Sequence, residues 1–287
     1  MSKLVFAVVS DIHYGPNIDT KLGDQAPQLL KNFIDYVQAS KPDFCVEMGD
    51  RLSNADAETE RRLLKELARA MKTLPVPTYH LLGNHDMEDM PQEEAEALLG
   101  ASLSSRSVEF NGYHLVFWNT HPRLDPIKGF DLKTEDLDWL RKTLAASDLP
   151  TILFTHLPLD NGSFGGNFYF DGKEPVHAAY PEEQGRAIRD VIERSGNVIL
   201  CLNGHAHWNA YHGIDGTHYV TIPSLIEGFA TWPEANGGYA RVALDGETID
   251  IEIFGKTPMA YRLKAKRPGH HWVHVNKDYA PKAPKVG

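Results

Sequence analysis

The sequence predicts an α/β protein, a four-layer α/β/β/α sandwich with two mixed β-sheets. Three observations predict it. Strand-like apolar runs alternate with helical segments through the first half of the chain, consecutive strand-like runs joined by Asp-Gly turns occupy the second half, and short polar clusters follow several of the apolar runs.

Leu4 to Val9 is continuously apolar and too short for a globular helix, so it reads as a buried strand. A helix near Gln25 to Ser40, a strand over Phe44 to Met48, a helix near Ala57 to Thr73 and a strand over Thr78 to Leu82 continue a β-α-β-α-β series. Pro42, Pro75 and Pro77 mark the helix-to-strand joins, where proline is tolerated. A short acidic helix follows around Gln92 to Leu99. Then comes a hairpin, Arg106 to Phe110 and His114 to Asn119, turned by Asn111-Gly112. The helix from Glu135 to Ala146 is expected to have Thr134 as its N-cap, and Leu137 at N3 denies it a reciprocal capping box. Thr151 to Phe154 and Val198 to Leu202 are further buried strands. After them, Tyr211 to Ile214 and His218 to Ile222 flank Asp215-Gly216, while Tyr239 to Leu244 and Thr248 to Phe254 flank Asp245-Gly246-Glu247. These consecutive strands predict a second, largely antiparallel sheet stacked on the first. The polar clusters must meet in space, so one domain over residues 1–262 is expected, followed by a loosely held lysine- and proline-rich tail over 263–287.

The chain has 287 residues and a formal net charge of −10, which argues against the basic footprint of nucleic-acid binding and leaves a small phosphorylated substrate open. Met1-Ser2-Lys3 leads directly into a strand and no run approaches the length of a membrane span, so a cytoplasmic location without membrane attachment is expected. Cys45 and Cys201 lie within apolar runs and read as small buried hydrophobes. The stretch from Asp160 to Glu183 mixes glycines with Phe164, Phe168, Tyr169, Phe170 and Tyr180. A substrate cap, a contact between copies in a homo-oligomer and an inert surface excursion all remain open for it.

The clusters carry the chemistry. Ser10-Asp11-Ile12-His13, Gly49-Asp50, Gly83-Asn84-His85-Asp86, Thr155-His156 and Gly204-His205-Ala206-His207 each stand where a strand ends, and ligands at the carboxyl ends of strands converge in one crevice. Oxygen and imidazole donors without thiolate suit two divalent ions of Mn, Fe, Zn or Co. A carboxylate shared by two ions about 3.5 to 4 Å apart lets both polarise one water into a bridging hydroxide nucleophile, and Asp50 is the candidate bridge. The ions also screen the charge of a phosphate, and phosphoryl transfer asks for little else.

In this order and spacing the clusters resemble the calcineurin-like metallophosphoesterases over most of the chain. The resemblance implies the double-sheet sandwich. It also implies a first ion on Asp11, His13, Asp50 and His207, and a second on Asp50, Asn84, His156 and His205. His85 would be catalytic, contacting the phosphate with Asn84 and assisting the leaving group as a general acid. Protein Ser/Thr phosphatases of the family carry Gly-Asp-x-x-Asp-Arg-Gly, whereas this chain reads Gly49-Asp50-Arg51-Leu52-Ser53-Asn54, which disfavours that branch. Members resembling class III cyclic-nucleotide and glycerophospho-diesterases usually place an apolar residue after the bridging aspartate, where this chain has Arg51. Arg51 is therefore a candidate to hold a substrate phosphate, with an ion pair to Glu47, Asp56 or another acid as the alternative. Asp86 is expected to shape its turn or orient a neighbour without binding metal, and His270, His271 and His274 to belong to the solvated tail.

The expected activity is hydrolysis of a small-molecule phosphodiester or pyrophosphate by a dinuclear metal site. A phosphomonoesterase on the same site is the alternative. A metal-holding interaction scaffold is a further alternative from another class, disfavoured because scaffolds of this fold lose the histidine of the Asn-His pair that Asn84 and His85 retain. Cyclic nucleotide, nucleoside diphosphate derivative and glycerophosphodiester all stay open as substrates.

Overall fold

In the computed structural model, residues 3–53, 55–88, 90–173, 177–214 and 216–265 are described. The tail beyond them, with His270, His271 and His274, lies outside the described residues, as does Asp215 of the expected turn. The order of elements is β1 (Leu4–Val9), α1 (Ala26–Ser40), β2 (Phe44–Glu47), α2 (Ala57–Met71), β3 (Thr78–His80), α3 (Gln92–Leu99), β4 (Arg106–Phe110) and β5 (Tyr113–Phe117). It continues with β6 (Leu124–Asp125), β7 (Gly129–Phe130), α4 (Thr134–Ala145), β8 (Thr151–Phe154), α5 (Glu182–Ser195) and β9 (Val198–Asn203). Strands β10 (Ala210–Ile214), β11 (Thr217–Thr221), β12 (Tyr239–Leu244), β13 (Thr248–Phe254) and β14 (Met259–Lys264) complete it.

Two six-stranded mixed sheets, β14-β13-β12-β1-β2-β3 and β10-β11-β9-β8-β5-β4, stack face to face. The late strands do not form a sheet of their own, which corrects the expected segregation. Strands β12 to β14 extend the first sheet by antiparallel pairing onto β1, and β11 and β10 extend the second beside β9. The reason lies in β1 itself. Its residues are buried on both faces, so its backbone polar groups need a hydrogen-bonded neighbour on each edge, and β12 supplies the one that parallel β2 cannot.

Side-chain alternation sorts each strand between layers. Leu4, Phe6 and Val8 of β1 enter the inter-sheet core, where the Phe6 and Phe44 rings stack at 4.8 Å and Phe6 meets Phe154 of the other sheet edge-on at 5.4 Å. Ala7 and Val9 face the other way, against Leu30, Phe33 and Val37 of α1 and Leu63, Leu64 and Leu67 of α2. On the opposite side Leu140 and Leu144 of α4 and Ile188 and Ile192 of α5 pack on Val116, Leu153 and Cys201.

Helix ends follow local chemistry. The Asp56 carboxylate caps α2 by accepting from the N–H groups of Glu58 (3.1 Å) and Thr59 (3.0 Å). Helix α4 begins one residue earlier than expected. Lys133 is its N-cap, and Thr134, expected in that role, is already helical and makes no capping bond. Helix α5 is absent from the sequence reading, although Ile188, Val191 and Ile192 recur at helical spacing on its buried face. A Cβ at Gly185 would lie 2.5 Å from the Asn161 side-chain oxygen. Neither cysteine forms a disulfide, and both are buried. No helix among the described residues is long and apolar enough to cross a membrane.

Candidate active site

The carboxyl ends of β1, β2, β3, β8 and β9 meet at one edge of the sandwich, and the loops that leave them bring the five polar clusters together. One ligand atom from each of Asp11, His13, Asp50 and His207 falls in a group spanning no more than 4.8 Å, and Asp50, His156 and His205 form a second such group. Asp50 belongs to both. Its Oδ2 lies 3.3 Å from His156 Nε2 and 3.6 Å from His13 Nε2, and its Oδ1 accepts the His85 backbone N–H at 2.9 Å. His207 Nε2 stands 3.4 Å from Asp11 Oδ1 and 3.0 Å from His13 Nε2.

Backbone strain is concentrated here. Asp11, His13, Asp50, His205 and His207 all take positive φ, between 41° and 65°, a conformation that costs non-glycine residues free energy and persists where the surroundings over-determine it. Two glycines allow the loops to close this tightly. A Cβ at Gly83 would overlap Asp50 Oδ1 at 2.0 Å, and one at Gly204 would overlap Ser10 Oγ at the same distance.

Each imidazole is held by a bond at its other nitrogen. Met48 O faces His156 Nδ1 at 2.9 Å, Leu52 O faces His13 Nδ1 at 3.2 Å, His177 O faces His205 Nε2 at 3.0 Å, and the Glu227 carboxylate faces His207 Nδ1 at 2.8 Å. With those bonds made, Nε2 of His13, His156 and His207 and Nδ1 of His205 are left for the centre. Among the described residues, three buried atoms of the expected ligands make no hydrogen bond: Asn84 Oδ1, His156 Nε2 and His205 Nδ1. Buried polar atoms are rarely left so, and all three are good donors to a divalent transition metal. The donor set therefore fits a pair of ions.

In the metal-free cluster the acids and imidazoles shift one another. Burial works against charge on Asp50, yet His156, His85 and His13 hold its carboxyl well below the usual range. Burial would also lower His156, but Asp50 and Asp11 raise it to about 9, and Asp11 with Glu227 does the same for His207. Burial and the charge of His156 push His205 down to about 3.

Arg51 faces away from this chemistry, which corrects its assignment to the substrate. Its guanidinium is 2% exposed and lies 2.6 Å from both Glu47 Oε2 and Asp86 Oδ2. Asp86 also accepts the N–H groups of Gly83 and Asp50 at 2.9 Å and of Arg51 at 3.0 Å, so it shapes the turn as expected. The pairing expected for Arg51 is present with Glu47, and its second partner is Asp86 in place of Asp56.

A cavity of about 310 Å³ opens over the cluster, walled by Lys21, Asp50, Asn84, His85, Tyr169 and Phe170 among others. The aromatic stretch is thus part of the cleft. Phe170 stacks on His205 at 5.2 Å, and Tyr169 meets His207 edge-on at 5.6 Å while sharing a 2.8 Å hydrogen bond with Thr20. A neighbouring cavity of about 630 Å³ shares Phe170 and Lys173 with the first. Glu227 and Lys21 are absent from the sequence reading, and nothing local to either residue marks them.

The sequence profile of the calcineurin-like phosphoesterases matches residues 4–209. The chain belongs to that family. As a member it is a metal-dependent phosphoric ester hydrolase, and the family's dinuclear site corresponds to the two His/Asp groups just described. The chain is also 21% identical over 280 residues to a manganese-dependent ADP-ribose/CDP-alcohol diphosphatase of Arabidopsis thaliana, covering 77% of this chain and 86% of that protein. Among solved structures it is similar to a dimetal phosphatase from Danio rerio, with a TM-score of 0.74, 14% identity, and coverage of 92% of this chain and 99% of the other. It shares the fold as well with GAP50, the anchor in the inner membrane complex of Plasmodium, at a TM-score of 0.59 and 13% identity, over 94% of this chain and 91% of that one.

Proposed function

We propose that the chain hydrolyses the pyrophosphate or phosphodiester linkage of a small molecule, with pyrophosphate preferred. The observation that carries this reading is the pair of donor groups sharing Asp50, completed by the three buried atoms that make no hydrogen bond. Asp11, His13, Asp50 and His207 would hold one ion, and Asp50, Asn84, His156 and His205 the other. Mn, Fe, Zn and Co all suit these donors, and the plant relative is manganese-dependent. When bound, the ions supply Lewis acidity and an activated water.

The chain's own residues do the rest. Glu227, Met48 O, Leu52 O and His177 O fix the orientation of each imidazole, so no reorganisation is needed when substrate arrives. His85 lies in the cleft wall with its ring 5.0 Å from that of His13, and its Nδ1 is 3.3 Å from Glu88 Oε1. In this reading the imidazole of His85 delivers a proton to the departing oxygen, and Asn84 helps to place the phosphate. Preference for pyrophosphate is supported by the plant relative's activity on ADP-ribose and CDP-alcohols, and a cavity of about 310 Å³ suits a small molecule.

The test is turnover after reconstitution with Mn, Fe, Zn or Co on a nucleoside diphosphate sugar, an aryl phosphate diester and an aryl phosphate monoester. Metal-dependent cleavage fastest on the diphosphate is expected. Faster monoester hydrolysis would replace this reading with the phosphomonoesterase, and no turnover with two ions bound would leave a scaffold.

A further inference from the structure

Lys21 is a cation in the wall of the cleft with no carboxylate beside it among the described residues. It stands in the loop between β1 and α1, where its N–H donates to Ile18 O at 2.9 Å, its carbonyl accepts the Ile18 N–H at 3.0 Å, and the next residue, Leu22, donates to Ile226 O at 3.1 Å. The backbone is therefore pinned, and the side chain follows it inward. The residue is 8% exposed, and its Nζ lies 5.7 Å from the centre of the Tyr169 ring. No carboxylate among the described residues comes within 4.0 Å of that nitrogen, although Asp19 and Glu88 line the same cavity.

The Lys21 side chain is mostly covered, and its ammonium stands in the cleft wall without a counter-charge beside it, a situation the aromatic face of Tyr169 offsets only in part. The remainder is met when an anion enters the cleft. Location narrows the choice of anion. Tyr169, which carries the Lys21 cation, packs on His207, so Lys21 belongs to the flank of the cluster formed by His13 and His207. The opposite flank, at His205, is covered by Phe170, which leads into the larger cavity. A diester carries one negative charge, which two divalent ions already outweigh. A diphosphate brings a second phosphate beyond the ions, and a lysine meets a phosphate as a point charge.

We propose that Lys21 is a positioning residue that binds the second phosphate of a diphosphate substrate while the first lies over Asp50. This rests on the hydrolase reading above and adds the residue that selects for two phosphates. No residue of the family pattern supplies it.

The test uses the metal-loaded full chain and its Lys21→Met and Lys21→Arg variants. Calorimetric titration with inorganic pyrophosphate and with inorganic phosphate reads binding apart from activity. Steady-state rates on a nucleoside diphosphate sugar and an aryl diester read selectivity. Lys21→Met is expected to weaken pyrophosphate binding about ten- to a hundredfold, as for a lost charge-assisted hydrogen bond, with a smaller loss for phosphate. The ratio of kcat/KM for the diphosphate to that for the diester falls by about tenfold or more, mostly through KM. Lys21→Arg recovers most of both. The thermal midpoint of Lys21→Met does not drop, because the removed charge has no ion pair to lose among the described residues and Met keeps the covered stem. Equal losses for the two anions, or undiminished pyrophosphate affinity, would overturn the proposal. A lowered midpoint with unchanged selectivity would make Lys21 a structural cation on Tyr169 instead. Wild-type protein that turns over neither ester, yet loses pyrophosphate affinity in Lys21→Met, would sink the hydrolase reading and keep Lys21 as the anion site.

Discussion

Two buried clusters of charge lie back to back at the strand ends, joined by the turn that Asp86 shapes, and they are completed in different ways. In the Glu47, Arg51, His80 and Asp86 cluster nearly every charge has a partner. Arg51 bridges Glu47 and Asp86 at 2.6 Å, His80 Nδ1 lies 3.0 Å from Glu47 Oε2, and only Arg51 Nε is left over. In the cluster around Asp50, Asn84 Oδ1 and His205 Nδ1 are buried without a hydrogen bond, His156 Nε2 has only the Asp50 carboxylate at 3.3 Å, and His13 and His207 present nitrogens to each other at 3.0 Å. Both regions are rich in titratable groups, so charge density alone does not mark a site. The difference is in what the protein itself completes: the first cluster is a finished support, and the second is a donor set that needs ions from outside.

The largest break in this contrast is expected from Asp50→Ala, because Asp50 belongs to both donor groups. Elemental analysis should find fewer than two ions per chain, with turnover reduced to background. Full activity in that variant would remove the shared-ligand assignment. His85→Ala should retain both ions and lose about a hundred- to ten-thousandfold in kcat on a substrate with a poor leaving group, the range of a lost general acid. A good leaving group such as nitrophenolate should shrink the deficit, and unchanged turnover on both would dismiss the role.

The supporting cluster is expected to answer through stability. Arg51→Met strands Asp86 and weakens the pairing of Glu47, and losing one partner of a buried pair costs about 3 to 5 kcal/mol. Denaturant unfolding of the metal-free protein measures this, and a change below about 1 kcal/mol would mean that Arg51 is not structural. Glu227→Gln should lower metal affinity about ten- to a hundredfold through His207, with little change in the fold.

The smallest effect is one of pH. In the metal-free protein His156 and His207 are raised from 6.5 to about 9, so the stability they contribute is fully present below 6.5 and is lost as pH rises towards 9. Ligation requires neutral imidazoles, so the metal-loaded protein should lack this loss and bind ions more tightly as pH rises through the same window. Thermal melts at pH 6 and pH 9, with and without metal, distinguish the two. His205, depressed to about 3, acts oppositely, and its contribution is lost only as pH falls below 6.5.

The chain by itself determined the strand and helix alternation of the first half, the double-sheet class and the five polar clusters, because these depend on local periodicity and on residue type at strand ends. The order of strands needed the tertiary structure. Which neighbour completes the edges of β1 is a question of pairing at long range, and an Asp-Gly turn specifies only a hairpin. The same limit applies at the site. Arg51 follows Asp50 in sequence, but the partners that turn it inward, Glu47 and Asp86, meet it only in the folded chain. Glu227 and Lys21 have no local signal at all. One takes its meaning from His207 and the other from the ring of Tyr169, contacts made across 20 and 148 positions of the chain, and a side chain's environment is decided by what folding brings to it.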